Sequence, residues 1–295
     1  MSATLSDRIQ QFYDTSSGLW EQMWGEHMHH GYYGADGTRR PGRKQAQIDL
    51  IEELLQWTAD SLGADLPLAL SSPKTAQFLD AGCGIGGSTL YLAQKFQIKG
   101  IGITLSPVQA TRAIDRSREA GISGDVGFMV ANAQNVPFAD ESFDLIWSLE
   151  SGEHMPDKVA FLQECYRVLK PGGTLIFATW CHRPTKEPLG RLTEAEQKQL
   201  QEIYRLYHLP YVISLPEYET IATGLNFQKI HTADWSSAVA PFWDDVLDSA
   251  LNPSAILGVL MAGWETIQGA WAIGLMRQGF ASGLIRYGVL CATKS

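Results

Sequence analysis

Cysteine is scarce: four in 295 residues, Cys83, Cys165, Cys181 and Cys291, far apart and with no C-x-x-C pair. That spacing argues against a disulfide framework or a cysteine zinc site and fits a reducing compartment. No long run of lysines or arginines appears, and 23 basic residues face 32 acidic ones for a formal net charge of -9. Binding a phosphate backbone needs a basic surface, so no nucleic-acid partner is expected. Repeats at a fixed period are missing, which removes solenoids. Residues 1–11 show neither a basic-then-apolar secretory pattern nor an Arg/Ser-rich transit pattern, so the expectation is a cytoplasmic protein that begins at Met1. A bilayer-length apolar stretch occurs at residues 255–276, and it carries Glu265. A central acid is expensive in hydrocarbon, and the glycines and tryptophans around it suit a packed or interfacial helix. Peripheral membrane contact is expected there rather than a span.

What remains is an ordinary globular composition, 45% hydrophobic and 19% charged, long enough for one α/β core with additions. The first seventy residues read as helices and loops: a polar opening helix, an aromatic-rich loop over residues 20–33, and an amphipathic helix at 45–61. Residues 62–73 form a linker. From there apolar strands alternate with helices: strands at 76–81, 98–104, 125–130, 143–148 and 174–180, helices at 88–96, 107–120 and 157–169, with Pro171-Gly172-Gly173 as a turn. A polar helical region at 193–207 and late strands at 227–235 and 285–293 follow. The pattern predicts an α/β fold, a doubly wound, mostly parallel seven-stranded sheet covered on both faces. Residues 1–70 form a helical cap on a domain of residues 71–295. The apolar insertion at about 236–283 joins the two late strands, so it is expected to fold as a helical substrate lid over the carboxyl ends of the sheet.

Gly82-x-Gly84-x-x-Gly87, with Gly86 beside it, lies between a strand and a helix. Glycines let backbone approach a ligand closely, and the helix start offers free N–H groups. A nicotinamide dinucleotide and S-adenosylmethionine suit that turn equally; a tight turn without ligand is the plain alternative. Asp80, two residues upstream, separates them, because a carboxylate favours a sulfonium and an ammonium group and repels a pyrophosphate.

Residues 78–87, Phe-Leu-Asp-Ala-Gly-Cys-Gly-Ile-Gly-Gly, resemble the first motif of class I S-adenosylmethionine methyltransferases, and residues 169–175 resemble the turn before that family's fifth strand. The resemblance implies a Rossmann-like fold, with Asp80, Gly82, Gly84 and Gly86 at the cofactor. The acid that ends the second strand in many relatives is missing here. Residues 102–109 instead resemble the subgroup of tocopherol, sterol and cyclopropane-fatty-acid methyltransferases, which carries the nucleoside contacts to Thr104, Leu105 and Gln109. Asn132 stands where many relatives have Asp for the adenine amino group, with Ala133 beside it, and an Asn oxygen can accept the same hydrogen bond.

Methyl transfer needs no metal, and a phenol ring carbon becomes nucleophilic as the hydroxyl loses its proton, so a base is sought after strand four. Residues 148–158 offer Ser148 toward the cofactor and Glu150, Glu153 and His154 as catalytic candidates. The alternatives are that Glu150 caps a helix, Glu153 pairs with Lys158 on its surface, and His154 is structural. Three histidines in residues 21–33 have no metal-ligand spacing. That run resembles the loop that closes over the cofactor in tocopherol methyltransferases, which implies cofactor contacts by His30 and Gly31. Further runs at 180–183, 233–243 and 269–288 resemble the same family, so the likeness covers nearly the whole chain. It implies a prenylated phenol as acceptor, γ- or δ-tocopherol giving α- or β-tocopherol in vitamin E biosynthesis. Trp180, Trp235, Phe242, Trp243 and Trp264 are the expected substrate wall, since apolar pockets suit such ligands; plain core packing would use the same residues. N-methylation of an indole or other amine, and a non-catalytic prenyl-lipid carrier, are the competing functions.

Overall fold

A computed structural model describes residues 5–63, 76–186, 189–250 and 264–295. Among these, strands β1 (Gln77–Ala81), β2 (Lys99–Thr104), β3 (Val126–Val130), β4 (Phe143–Leu149), β5 (Leu169–His182), β6 (Phe227–Asp234) and β7 (Ile285–Lys294) form one sheet. Its order is β3-β2-β1-β4-β5-β7-β6. The first five strands are parallel, and β7 runs antiparallel to both β5 and β6. Alternate residues feed opposite faces: Phe78 and Trp147 enter one apolar core, Leu79 and Ile146 the other. Two buried faces explain why these strands read as continuous apolar runs.

Helices α1 (Leu5–Trp24) and α2 (Arg43–Leu62) precede the sheet. Leu50 and Leu54 of α2 share a core with Phe78 and Trp147, so α2 packs on one face of the sheet. Helix α1 persists to Trp24, and the aromatic loop therefore begins later than residue 20. Helices α3 (Gly87–Phe96), α4 (Pro107–Glu119) and α5 (Lys158–Val168) link the parallel strands. Ser106 caps α4 by accepting from the Gln109 N–H at 3.1 Å, and Asp157 caps α5 through Ala160 N–H at 2.9 Å.

Helix α6 (Glu194–Leu206) matches its expected range, whereas α7 (Leu215–Gly224) was not anticipated. Its signal was present in the Ser214–Glu217 capping box with Pro216 in the first turn. Residues 171–173 also differ from expectation. Phe143 pairs with Leu169 and Leu145 with Thr174, so Pro171-Gly172-Gly173 is a bulge carried within β5 rather than a turn that precedes it.

The insertion between β6 and β7 is helical where described: α8 (Ser236–Val239), α9 (Pro241–Ala250) and α10 (Trp264–Ser282). Residues 251–263 lie outside the described residues, as do residues 64–75, which hold nearly all of the expected linker. Among the described residues no helix is long and apolar enough to cross a membrane.

Candidate functional site

Strand order reverses between β1 and β4, and open α/β sheets leave a crevice at the carboxyl ends there. Asp80 is the next-to-last residue of β1 at this point, and after Ala81 the chain turns through Gly82, Gly84 and Gly86 with φ of +99°, +53° and +82°. Two of these glycines are required sterically. A Cβ at Gly82 would lie 2.2 Å from that of Ser151, and one at Gly86 would strike the Phe128 ring at 2.8 Å. At Gly84 a Cβ would meet only Met28 Sδ at 3.9 Å, so its open side belongs to the cleft.

Asp80 is 2% exposed and accepts the Thr89 hydroxyl at 2.6 Å. Burial pushes its carboxyl up to about 7, against the pull of the Thr89 hydrogen bonds. No lysine, arginine or histidine pairs with it among the described residues, so a cationic ligand would meet an uncompensated acid. Across the turn Thr104 donates to Gln109 Oε1 at 2.7 Å, and both residues line the cleft with Leu105. Asn132 and Ala133 do not join them. Asn132 is exposed with its Oδ1 taken by the Gln134 N–H at 3.0 Å, and Ala133 is buried in the core.

The second wall is the turn after β4. Glu150 holds a left-handed backbone, φ +54°, which a non-glycine residue keeps only when its surroundings over-determine it. Its carboxylate accepts the His30 backbone N–H at 2.7 Å, Tyr287 Oη–H at 2.9 Å and Trp180 Nε1–H at 3.3 Å, and pairs with His30 Nδ1 at 2.8 Å. Burial opposes its charge, but the His30 interactions outweigh it and hold the carboxyl below its ordinary value. Glu153 is 1% exposed and has one side-chain donor, the Thr179 hydroxyl at 2.7 Å. Burial, then the nearby Glu150 charge, push its carboxyl up to about 8. Lys158 contacts the Glu153 backbone carbonyl rather than its carboxylate, so the surface pair considered from sequence does not form.

His154 Nε2 and Tyr13 Oη lie 2.7 Å apart. Burial lowers the imidazole to about 3, which keeps it neutral, and burial raises the Tyr13 phenol, which keeps it protonated. Tyr13, with Ile9 and Phe12 of α1, brings the N-terminal helix into the cleft wall, and Tyr207 enters from the end of α6. None of the four was anticipated, because no local motif marks them.

The expected substrate wall is only partly at the cleft. Trp180 lines it. Phe242 and Trp243 are fully buried one layer back, packed on the His30 ring at 4.7 and 5.0 Å between centroids. Trp235 packs on Tyr32 and Trp57, and the Trp264 side chain lies outside the described residues. The described helices of the insertion thus support the wall, while α1 forms it together with Trp180 and Tyr207. His30 is likewise behind the cleft, acting on it through Glu150, and Gly31 is pressed on Ala46, whose Cβ would lie 2.4 Å from one added there. Ser148 Oγ is 2.7 Å from Ser151 Oγ, which donates to the Ala81 carbonyl and ties β4 to the glycine turn.

A family model described as a methyltransferase domain matches residues 79–177, from β1 into β5. A probable tocopherol O-methyltransferase of Oryza sativa subsp. japonica is 44% identical over 98% of the chain and 78% of its own length. The tocopherol O-methyltransferase of Arabidopsis thaliana is 43% identical over 97% of the chain and 81% of its own length. Among solved structures, a putative sarcosine dimethylglycine methyltransferase from Galdieria sulphuraria superposes with a TM-score of 0.80 at 23% identity, over 96% of this chain and 99% of the other.

Proposed function

This chain belongs to the tocopherol methyltransferase family of S-adenosylmethionine-dependent methyltransferases, and on that premise we propose that it methylates a ring carbon of a prenylated phenol, γ- or δ-tocopherol in vitamin E biosynthesis. The cleft suits the cofactor: Asp80 offers a buried acid to its cationic methionine end, Gly82 and Gly84 offer close backbone, and Thr104 and Gln109 offer a hydroxyl and an amide to the nucleoside. When bound, S-adenosylmethionine supplies a methyl group on a positive sulfur and departs as neutral S-adenosylhomocysteine.

The protein then has two tasks. One is alignment, which in well-oriented systems accounts for about 7–11 kcal/mol of barrier. The other is to take the proton from the acceptor hydroxyl, so that the oxygen's electrons enrich the ring carbon. Once that carbon holds the methyl group it sheds its own hydrogen as a proton, the oxygen regains one, and the ring is aromatic again with one proton released overall. Glu153 carries this reading: it faces the cleft, its affinity for a proton lies close to working pH, and one carboxylate oxygen has no side-chain donor. His154, held neutral, and Tyr13 orient the acceptor oxygen, and Ile9, Phe12 and Trp180 pack its apolar body.

A tocopherol tail resides in a bilayer, so the reading includes peripheral membrane contact at α10, where Trp271 stands 58% exposed. Co-sedimentation with liposomes supports that contact; protein left wholly in the supernatant removes it. The acceptor is tested by offering methyl-labelled S-adenosylmethionine with γ-tocopherol and, separately, with an indole amine. Label in tocopherol is expected. Label only in the amine, or none in either with the cofactor bound, contradicts the proposal.

A further inference from the structure

We propose that Lys158 is a positioning residue for Glu153, acting through the two peptide carbonyls that flank it; the inference rests on the functional reading above. Lys158 opens α5 and is 2% exposed, yet it forms no ion pair among the described residues. Its ammonium donates to the Gly152 carbonyl at 2.8 Å and the Glu153 carbonyl at 3.0 Å, and its remaining side lies 4.9 Å from the Tyr211 ring centre. Those carbonyls belong to the peptide planes before and after the Glu153 Cα. Holding both planes fixes φ and ψ at Glu153, and with them the direction in which its side chain leaves the backbone.

Burying an ammonium is expensive unless its donors are satisfied. An exposed turn would satisfy the same carbonyls with water at no such cost, so the arrangement is better explained by placement of the acid than by stability. The rest of the turn is held compatibly: Gly152 is pressed under the Phe177 ring, 2.5 Å from where its Cβ would lie, and Tyr218 Oη is 3.5 Å from the Gly152 carbonyl.

The contact is also electrostatic. Burial lowers the Lys158 ammonium to about 7, and the Glu153 charge opposes that shift; Lys158 in turn moderates the rise at Glu153. The other titratable groups bearing on the pair are Glu150, His154, Cys181 on β5, Tyr211, Tyr218 on α7, Tyr287 on β7, and Tyr13 on α1.

Lys158→Met tests the proposal in two backgrounds. Turnover is expected to fall by about tenfold or more in the otherwise native protein, with S-adenosylmethionine affinity kept within about twofold and the acidic limb of kcat moved to higher pH. In the Glu153→Gln background the same change should alter kcat by less than about twofold, since Lys158 then has nothing to position. Equal losses in both backgrounds, or an unmoved acidic limb, overturn the proposal. Should Lys158→Met not fold, NMR of ¹³Cε-labelled lysine in the native protein and in Glu153→Gln decides: the Lys158 midpoint should be lower in the variant, and an unchanged midpoint overturns the inference. The NMR arm needs no acceptor, so failure of the native enzyme to methylate any phenol sinks the acceptor reading and leaves the lysine still tested.

Discussion

Glu150 and Glu153 stand three residues apart on one turn, and their surroundings drive them in opposite directions. Two acids whose affinities for a proton are pushed apart mark a division of labour. Glu150 takes four donors and stays charged; Glu153 takes one side-chain donor and is raised to about 8. With Glu153 as the proposed base, kcat should be lost as pH falls through about 8 and level off above it. Glu153→Gln should lower kcat by about 10²–10⁴-fold with cofactor binding kept. A pH profile unchanged by the substitution would assign the proton elsewhere.

Glu150 is instead a latch between the loop at His30, β5 at Trp180 and β7 at Tyr287. Glu150→Ala leaves those buried donors without an acceptor, and should destabilise the fold by about 3–5 kcal/mol, read by denaturant unfolding. Since a carboxyl held below its ordinary value stabilises above that value, this contribution is lost as pH falls through the carboxylate range. A loss under about 1 kcal/mol would show that the donors find other partners.

With Asp80 at the cationic end of the cofactor, as proposed, binding should depend on pH. Its proton must leave before a cation binds beside it, so affinity for S-adenosylmethionine should weaken by about tenfold per pH unit below about 7 and be flat above. Asp80→Asn should abolish that slope and weaken binding. It should also stabilise the ligand-free protein at pH 8, because an acid raised by burial destabilises the fold once ionised. Calorimetric titration and thermal melts at several pH values check all three.

Tyr207 lines the cleft and its buried hydroxyl has no partner among the described residues. An acceptor oxygen is its natural partner. Tyr207→Phe should leave thermal stability equal or higher and raise the acceptor KM by about tenfold, with the cofactor constant unmoved. A lower melting temperature with an unchanged KM would make Tyr207 structural.

The parts legible in the sequence were those written locally. Asp80, the glycine turn and α3 fall within a short stretch, so one strand–turn–helix pattern exposes them, and the alternation through β5 fixes the sheet. The division between Glu150 and Glu153 was invisible, because it comes from His30 and Tyr287, 120 and 137 residues away. Phe242 and Trp243 read equally as pocket or core, and only burial separates those roles. Tyr13 and Ile9 lie on a helix whose sequence looks polar, and nothing in its spacing says which face meets the cleft. Asn132 matched a family position, yet its oxygen closes a local turn.

The central claim, delivery of a methyl group to a ring carbon activated by loss of the phenol proton, is tested most directly by the position of the new methyl. After turnover of γ-tocopherol with ¹³C-methyl S-adenosylmethionine, NMR of the product should place the label on an aromatic carbon with the hydroxyl free. Label on the phenol oxygen would contradict the account.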